Sequence, residues 1–133
     1  MQINELRIRN FVYSKSLEQY VQIGYISSPV GVGYLRGNTS AIDSCGCLSD
    51  IEPIKLTEES FIKCGAIKDE NDDLYVQHPR NEQLRFYLVA GFIQLTVGDC
   101  CPMSNYNHID KVHLFQNLYF FETGEELELT NFI

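Results

Sequence analysis

The segment 108–123 constrains the fold more than any other part of the chain. Advancing 100° per residue as a helix, it places Ile109, Val112, Leu114, Phe115, Leu118, Tyr119, Phe120 and Phe121 around most of the circumference and leaves a narrow polar strip of Asp110, His113 and Asn117. A helix that is apolar on nearly every side has to be covered on nearly every side. The segment therefore predicts a core helix between two halves of the chain, ended by Gly124, which takes the left-handed conformation past the last turn. A second reading leaves one side of it, at Phe120 and Phe121, as a homodimer or partner interface.

The rest of the chain has to supply the cover. Segments 6–13, 20–26 and 32–35 are rich in β-branched and aromatic residues, and polar or turn-forming stretches at 14–19, 27–29 and 36–40 separate them. They read as short strands, and strands at this spacing predict a small curled sheet or SH3-like barrel. Beyond Pro53 the pattern changes. Thr57 is placed to cap a short helix, with Glu58 and Glu59 beside the positive end of its dipole, Leu56 set to staple onto Phe61, and Gly65 to end it. Segments 84–89 and 92–97 alternate: Leu84, Phe86 and Leu88 share a face, as do Ile93, Leu95 and Val97, and Ala90-Gly91 turns one strand into the other. Segment 74–76 adds a strand, 100–102 reads as a loop, and 127–132 as a closing tail strand. The predicted fold class is α+β. A small SH3-like β module over 1–53 packs with an α+β module over 54–133, made of an antiparallel sheet and two helices, and the two share one core; 133 residues suffice for it.

The net charge of −8 sits in one half. Up to Leu56 five basic and five acidic residues cancel, whereas from Thr57 on there are five basic against thirteen acidic. The C-terminal half therefore repels nucleic acid at long range and suits a protein partner with a basic surface. The expected contacts are Glu58, Glu59, Asp69, Glu70, Asp72 and Asp73, together with Phe120 and Phe121. Residues 1–10 are charged where a signal peptide would be apolar, and no stretch reaches the roughly 18 apolar residues of a membrane span. The chain is expected in the cytoplasm, without a membrane partner, and with its five cysteines as thiols.

Cys45, Cys47, Cys100, Cys101 and His108 carry donors that zinc favours, but their spacing departs from paired-ligand motifs, which place two to four residues between cysteines. They are candidates only, and no metal is assigned. The acidic run 69–73 matches a calcium loop at Asp69, Asn71 and Asp73 but has Leu74 where that loop needs glycine and Arg80 where it needs a bidentate glutamate. It reads as a solvated turn. Cys64, at the negative end of its helix, is a poor thiolate nucleophile, while His108, opening the last helix, is a base within sequence reach of Cys100 and Cys101. The adjacent pairs Glu58-Glu59, Asp72-Asp73 and Glu125-Glu126 fall at helix ends or turns, whereas acid–base pairs face each other across a cleft. Phosphate loops, dinucleotide fingerprints and serine elbows are missing from the sequence, so no catalytic residue and no cofactor is assigned. In the N-terminal half, Arg7, Arg9 and Arg36 with Phe11, Tyr13, Tyr20 and Tyr34 supply cations and rings of the kind that bind nucleic acid, although strand alternation turns many of the rings inward.

Three stretches are informative in another way: Leu6-Arg7-Ile8-Arg9-Asn10-Phe11-Val12-Tyr13, then Ile51-Glu52-Pro53-Ile54-Lys55-Leu56-Thr57-Glu58-Glu59, then Val112-His113-Leu114-Phe115-Gln116-Asn117-Leu118-Tyr119-Phe120 running into Thr123-Gly124-Glu125-Glu126-Leu127. They resemble a family of uncharacterised small proteins from prophages and mobile elements of gut anaerobic bacteria. The chain departs from that pattern at Arg9, where the family has glycine, and at Phe121-Glu122, where it has smaller apolar residues. The resemblance implies an accessory protein of a phage or mobile element and carries no catalytic assignment. The expected function is a non-enzymatic protein–protein interaction through the acidic half. Nucleic-acid handling by the N-terminal module is the alternative, and a small thiol-dependent or hydrolytic enzyme built from distant loops is the third reading.

Overall fold

A computed structural model describes residues 5–27, 31–35, 42–98, 101–127 and 129, with only the backbone at 42, 43 and 101–103. The architecture is α+β, with two five-stranded antiparallel sheets and two helices. Strands β1 (Phe11–Ser14), β2 (Gln19–Ser27), β3 (Gly31–Leu35), β4 (Ile42–Cys47) and β5 (Ile51–Glu52) lie in the order β4-β3-β2-β1-β5. A 3-10 turn at Leu48–Asp50 carries β4 into β5, which pairs back onto β1 through Ser14 and Ile51. The sheet curls into the expected SH3-like half-barrel around Val12, Val21, Ile23, Val32, Tyr34 and Ile51. At its base Asp50 accepts from the Tyr34 hydroxyl at 2.7 Å, the Ser14 hydroxyl at 2.8 Å and the Ser16 amide at 2.9 Å. These donors hold the Asp50 carboxyl at about 2, and burial beside it raises the Tyr34 phenol.

Two boundaries in this module differ from expectation. The first strand starts at Phe11 instead of residue 6, because Arg9 sits at φ +78 and turns the chain. Its amide donates to the Ile23 carbonyl at 2.7 Å, which fixes the reversal. Glycine takes such a backbone without steric cost, and at Arg9 this hydrogen bond holds it. The strand β4 was not legible. Its small, polar residues lack a β pattern, and Gly46 is there because a Cβ would come within 2.4 Å of the Tyr34 hydroxyl.

The second sheet is a meander: β6 (Ile67–Lys68), β7 (Leu74–Gln77), β8 (Leu84–Val89), β9 (Phe92–Val97) and β10 (Cys101–Tyr106), each beside the next. The β8–β9 hairpin pairs Leu84 with Val97, Phe86 with Leu95 and Leu88 with Ile93, as the alternation requires. Ala90 and Gly91 both have positive φ, +54 and +84, the conformation in which a two-residue turn matches strand twist. The expected loop at 100–102 runs into β10 instead. Pro102 is accommodated there because β10 is an edge strand whose register shifts between Pro102 and Ser104.

Helix α1 (Glu58–Lys63) is capped as expected, the Thr57 hydroxyl accepting from the Ser60 amide and the Ser60 hydroxyl from the Thr57 amide, and Gly65 at φ +94 ends it. Helix α2 spans Val112–Thr123 and is ended by Gly124 at φ +72. It starts four residues later than expected, so Asp110 and His108 lie outside it. The chain before it is held extended by pairing with 54–56: Leu56 donates to the Asp110 carbonyl at 3.0 Å and Val112 to the Ile54 carbonyl at 2.8 Å. Val112, Phe115, Leu118 and Tyr119 enter the larger apolar cluster with Phe61, Phe86 and Leu95. Strand β1 serves both clusters, Phe11 facing α2 and Val12 the half-barrel. Leu127 and Leu129 are buried; the remainder of the expected tail strand lies outside the described residues. Among the described residues no helix is long and apolar enough to cross a membrane.

The polar side of α2 is the seam between the modules. Gln116 accepts from the Phe11 amide at 2.7 Å and donates to the Arg9 carbonyl at 3.0 Å. Asn117 accepts from the Asn10 side chain at 2.8 Å and donates to the Glu5 carbonyl at 2.9 Å. Arg7 pairs with Glu126 and stacks 4.4 Å from the centroid of the Phe120 ring. His113 is 1% exposed, neither ring nitrogen has a hydrogen bond, and Glu5 approaches only to 3.7 Å. Burial lowers the imidazole pKa below its ordinary 6.5, against the opposing pull of Glu5. The unfolded chain therefore takes up a proton first as pH falls. Stability present above about 6.5 is lost as pH drops through the lower folded value. Denaturant unfolding at pH 7.5 and pH 5 will show a smaller acid loss for His113→Leu than for the parent, and equal losses would remove His113 as a cause.

Candidate functional site: an acid-rimmed cleft

Three segments far apart in sequence converge on one open cleft of about 460 Å³: the start of α1, the turn between β6 and β7, and the tip of the β8–β9 hairpin. Its floor is apolar, with Leu56 and Leu74 buried and Leu88 half-buried. Ile62, 49% exposed, extends that surface toward solvent. The rim carries Glu58, Asp72 and Asp73, all exposed, against Lys68. Lys68 lies 3.4 Å from Asp72, but both side chains are more than half exposed, and a pair in that setting contributes little. The cleft keeps a net negative rim, and the apolar part of its lining comes from Leu56, Leu74, Leu88 and Ile62.

Local chemistry explains each wall. The Thr57 cap fixes where Glu58 leaves the helix. Asp69 shapes the β6–β7 turn: its carboxylate accepts from the Asn71 amide at 2.9 Å, the Asp73 amide at 3.0 Å and the Tyr87 hydroxyl at 2.8 Å. Those donors lower its pKa, the Asp73 amide most. Asp69 is therefore a turn residue whose oxygens are already engaged, and it presents Asp72 and Asp73 to the cleft. Glu59 and Glu70 are exposed on the same two segments but do not line it.

The other sequence candidates lie elsewhere. Phe120 and Phe121 stand at the end of α2, the first under Arg7 and the second 83% exposed. Cys45 and Cys47 are exposed free thiols on β4. Cys100 lies outside the described residues, as does the Cys101 side chain. His108 is exposed and meets the Tyr106 ring edge-on at 6.2 Å. Among the described residues no three His, Cys, Asp or Glu side chains gather as a metal site. Burial, more than the helix dipole, decides Cys64, pushing its thiol up to about 12. Of the residues read as nucleic-acid material, Arg7 is engaged in the seam, Phe11 and Tyr34 are buried, Tyr20 lies 5.1 Å from the Lys63 ammonium, and Arg36 is outside the described residues.

Sequence reasoning missed Lys68, Leu74, Leu88 and the Ala90-Gly91 turn as parts of a site. The signal was the acidic bias alone, which names a charge without saying which carboxylates meet. No family model matches the chain, and no match is found among the curated proteins or the solved structures.

Proposed function

We propose that the protein is a non-enzymatic binding module that takes a basic side chain of a protein partner into the acid-rimmed cleft, serving as an accessory factor of a phage or mobile element. The observation that carries this reading is the meeting of Glu58, Asp72 and Asp73 above an apolar floor. A lysine or arginine has the matching anatomy, with a stem that packs on Ile62 and Leu88 and a charged head that reaches the rim. Rim charges raise the encounter rate and lose it to screening.

Fluorescence polarisation with a labelled lysine-rich peptide tests this. Binding is expected to weaken at least about tenfold for the Glu58→Lys/Asp73→Lys pair, two rim charges each reversed. It is also expected to weaken as salt rises from about 0.05 M to 0.5 M. Unchanged affinity in the reversed pair would sink the assignment of the cleft.

A further inference from the structure

The outer face of the half-barrel has a floor of glycine. Gly31 and Gly33 of β3 pair with Cys47 and Cys45 of β4 on one side and with Ser27 and Tyr25 of β2 on the other. Cross-strand partners share a face, so the two cysteines stand side by side with no β3 side chain between them and the Tyr25 ring. That ring lies over Gly33, where a Cβ would come within 2.1 Å of it. β4 is an edge strand, and both thiols are free and exposed.

Two residues apart on one strand face, the Cβ atoms are about 6.7 Å from each other. A disulfide needs them at about 3.8 Å, so an extended β4 keeps the pair as thiols. Two sulfurs bridged linearly by one ion sit about 4.6 Å apart, twice a metal–thiolate bond of about 2.3 Å. Reaching that separation takes rotation about the two χ1 angles that brings the sulfurs toward each other, with the backbone in place. Zinc wants four donors, and among the described residues no third His, Cys, Asp or Glu joins the pair. A soft monovalent ion is satisfied by two thiolates.

Local contacts favour the thiolate form of Cys47. The Cys47 sulfur lies 2.8 Å from the Ser49 hydroxyl. That hydroxyl and the backbone amides of Ser49 and Asp50 lower its pKa, against the nearby Asp50 charge. The Asp50 carboxylate is itself occupied by Tyr34, Ser14 and Ser16. The Tyr25 hydroxyl stands 4.0 Å from the Cys45 sulfur.

We propose that Cys45 and Cys47 form a two-coordinate thiolate site for Cu(I). On binding, each thiol releases its proton to solvent and one Cu(I) joins the two sulfurs, with no change of oxidation state. Anaerobic titration of the full chain with Cu(I), in competition with a chromophoric Cu(I) chelator, tests it. The parent is expected to hold one equivalent, Cys45→Ser/Cys47→Ser to lose affinity at least a hundredfold, and Cys100→Ser/Cys101→Ser to keep it. X-ray absorption of the loaded protein should show two sulfur neighbours. The site is wrong if the chelator strips the parent as readily as the Cys45→Ser/Cys47→Ser protein, or if the Cys100→Ser/Cys101→Ser pair alone abolishes binding. The Cys47→Ser single variant repeats the comparison should the double variant fold poorly, and its retention of full affinity counts equally against the site.

Discussion

Replacing Gln116 with leucine will lower the unfolding free energy by about 2–3 kcal/mol, although leucine nearly preserves shape and adds apolar area. Gln116 is 1% exposed and bridges the two modules with both ends of its amide. The Arg9 carbonyl keeps a second donor, the Gln22 side chain at 3.1 Å. The buried Phe11 amide loses the Gln116 oxygen as acceptor, and removing the acceptor of a buried donor costs about 1–3 kcal/mol. Urea unfolding measures this directly. A change within about 0.5 kcal/mol, the range of inert surface substitutions, would mean the amide bridge does not hold the seam.

The second large effect is at Phe115. Its ring lies 5.4 Å from Phe61, 5.7 Å from Phe86 and 6.3 Å from Tyr119, and the side chain is fully buried. Phe115→Ala is expected to cost about 3–5 kcal/mol through lost transfer energy and the cavity left behind. Against a total of about 5–15 kcal/mol for a domain, that leaves little or no folded protein at the low end. The same residue type at Phe121, 83% exposed, should change stability by less than about 0.5 kcal/mol on replacement by serine. A cost below 1 kcal/mol at Phe115 would remove α2 from the centre of the core.

What the sequence disclosed and what it withheld divide along physical lines. Features written in neighbouring residues were legible: the Thr57 cap, the Gly65 and Gly124 stops, and the alternation of β8 and β9 about Ala90-Gly91. Features decided by distant partners were not. The start of α2 depends on pairing with 54–56, the late start of β1 on an arginine held at positive φ by Ile23, and β4 on a glycine that makes room for Tyr34. The polar strip on α2 was visible, but its face was not. Gln116, unremarked in sequence, is the side chain that β1 depends on. The cleft shows the same limit. Its charge could be counted, while its floor is assembled from Leu56, Leu74 and Leu88 across three segments.

The seam also has a bearing on the order in which the chain is made. Within each sheet most strands neighbour the next in sequence, so hairpins form early and locally. The seam is different, since the Phe11 amide waits for a side chain 105 residues later and Arg7 for one 119 residues later. Synthesis runs from the N-terminus at about 5–20 residues per second. For several seconds, then, β1 waits on the ribosome for α2, and the seam closes only once the chain through Glu126 has been made.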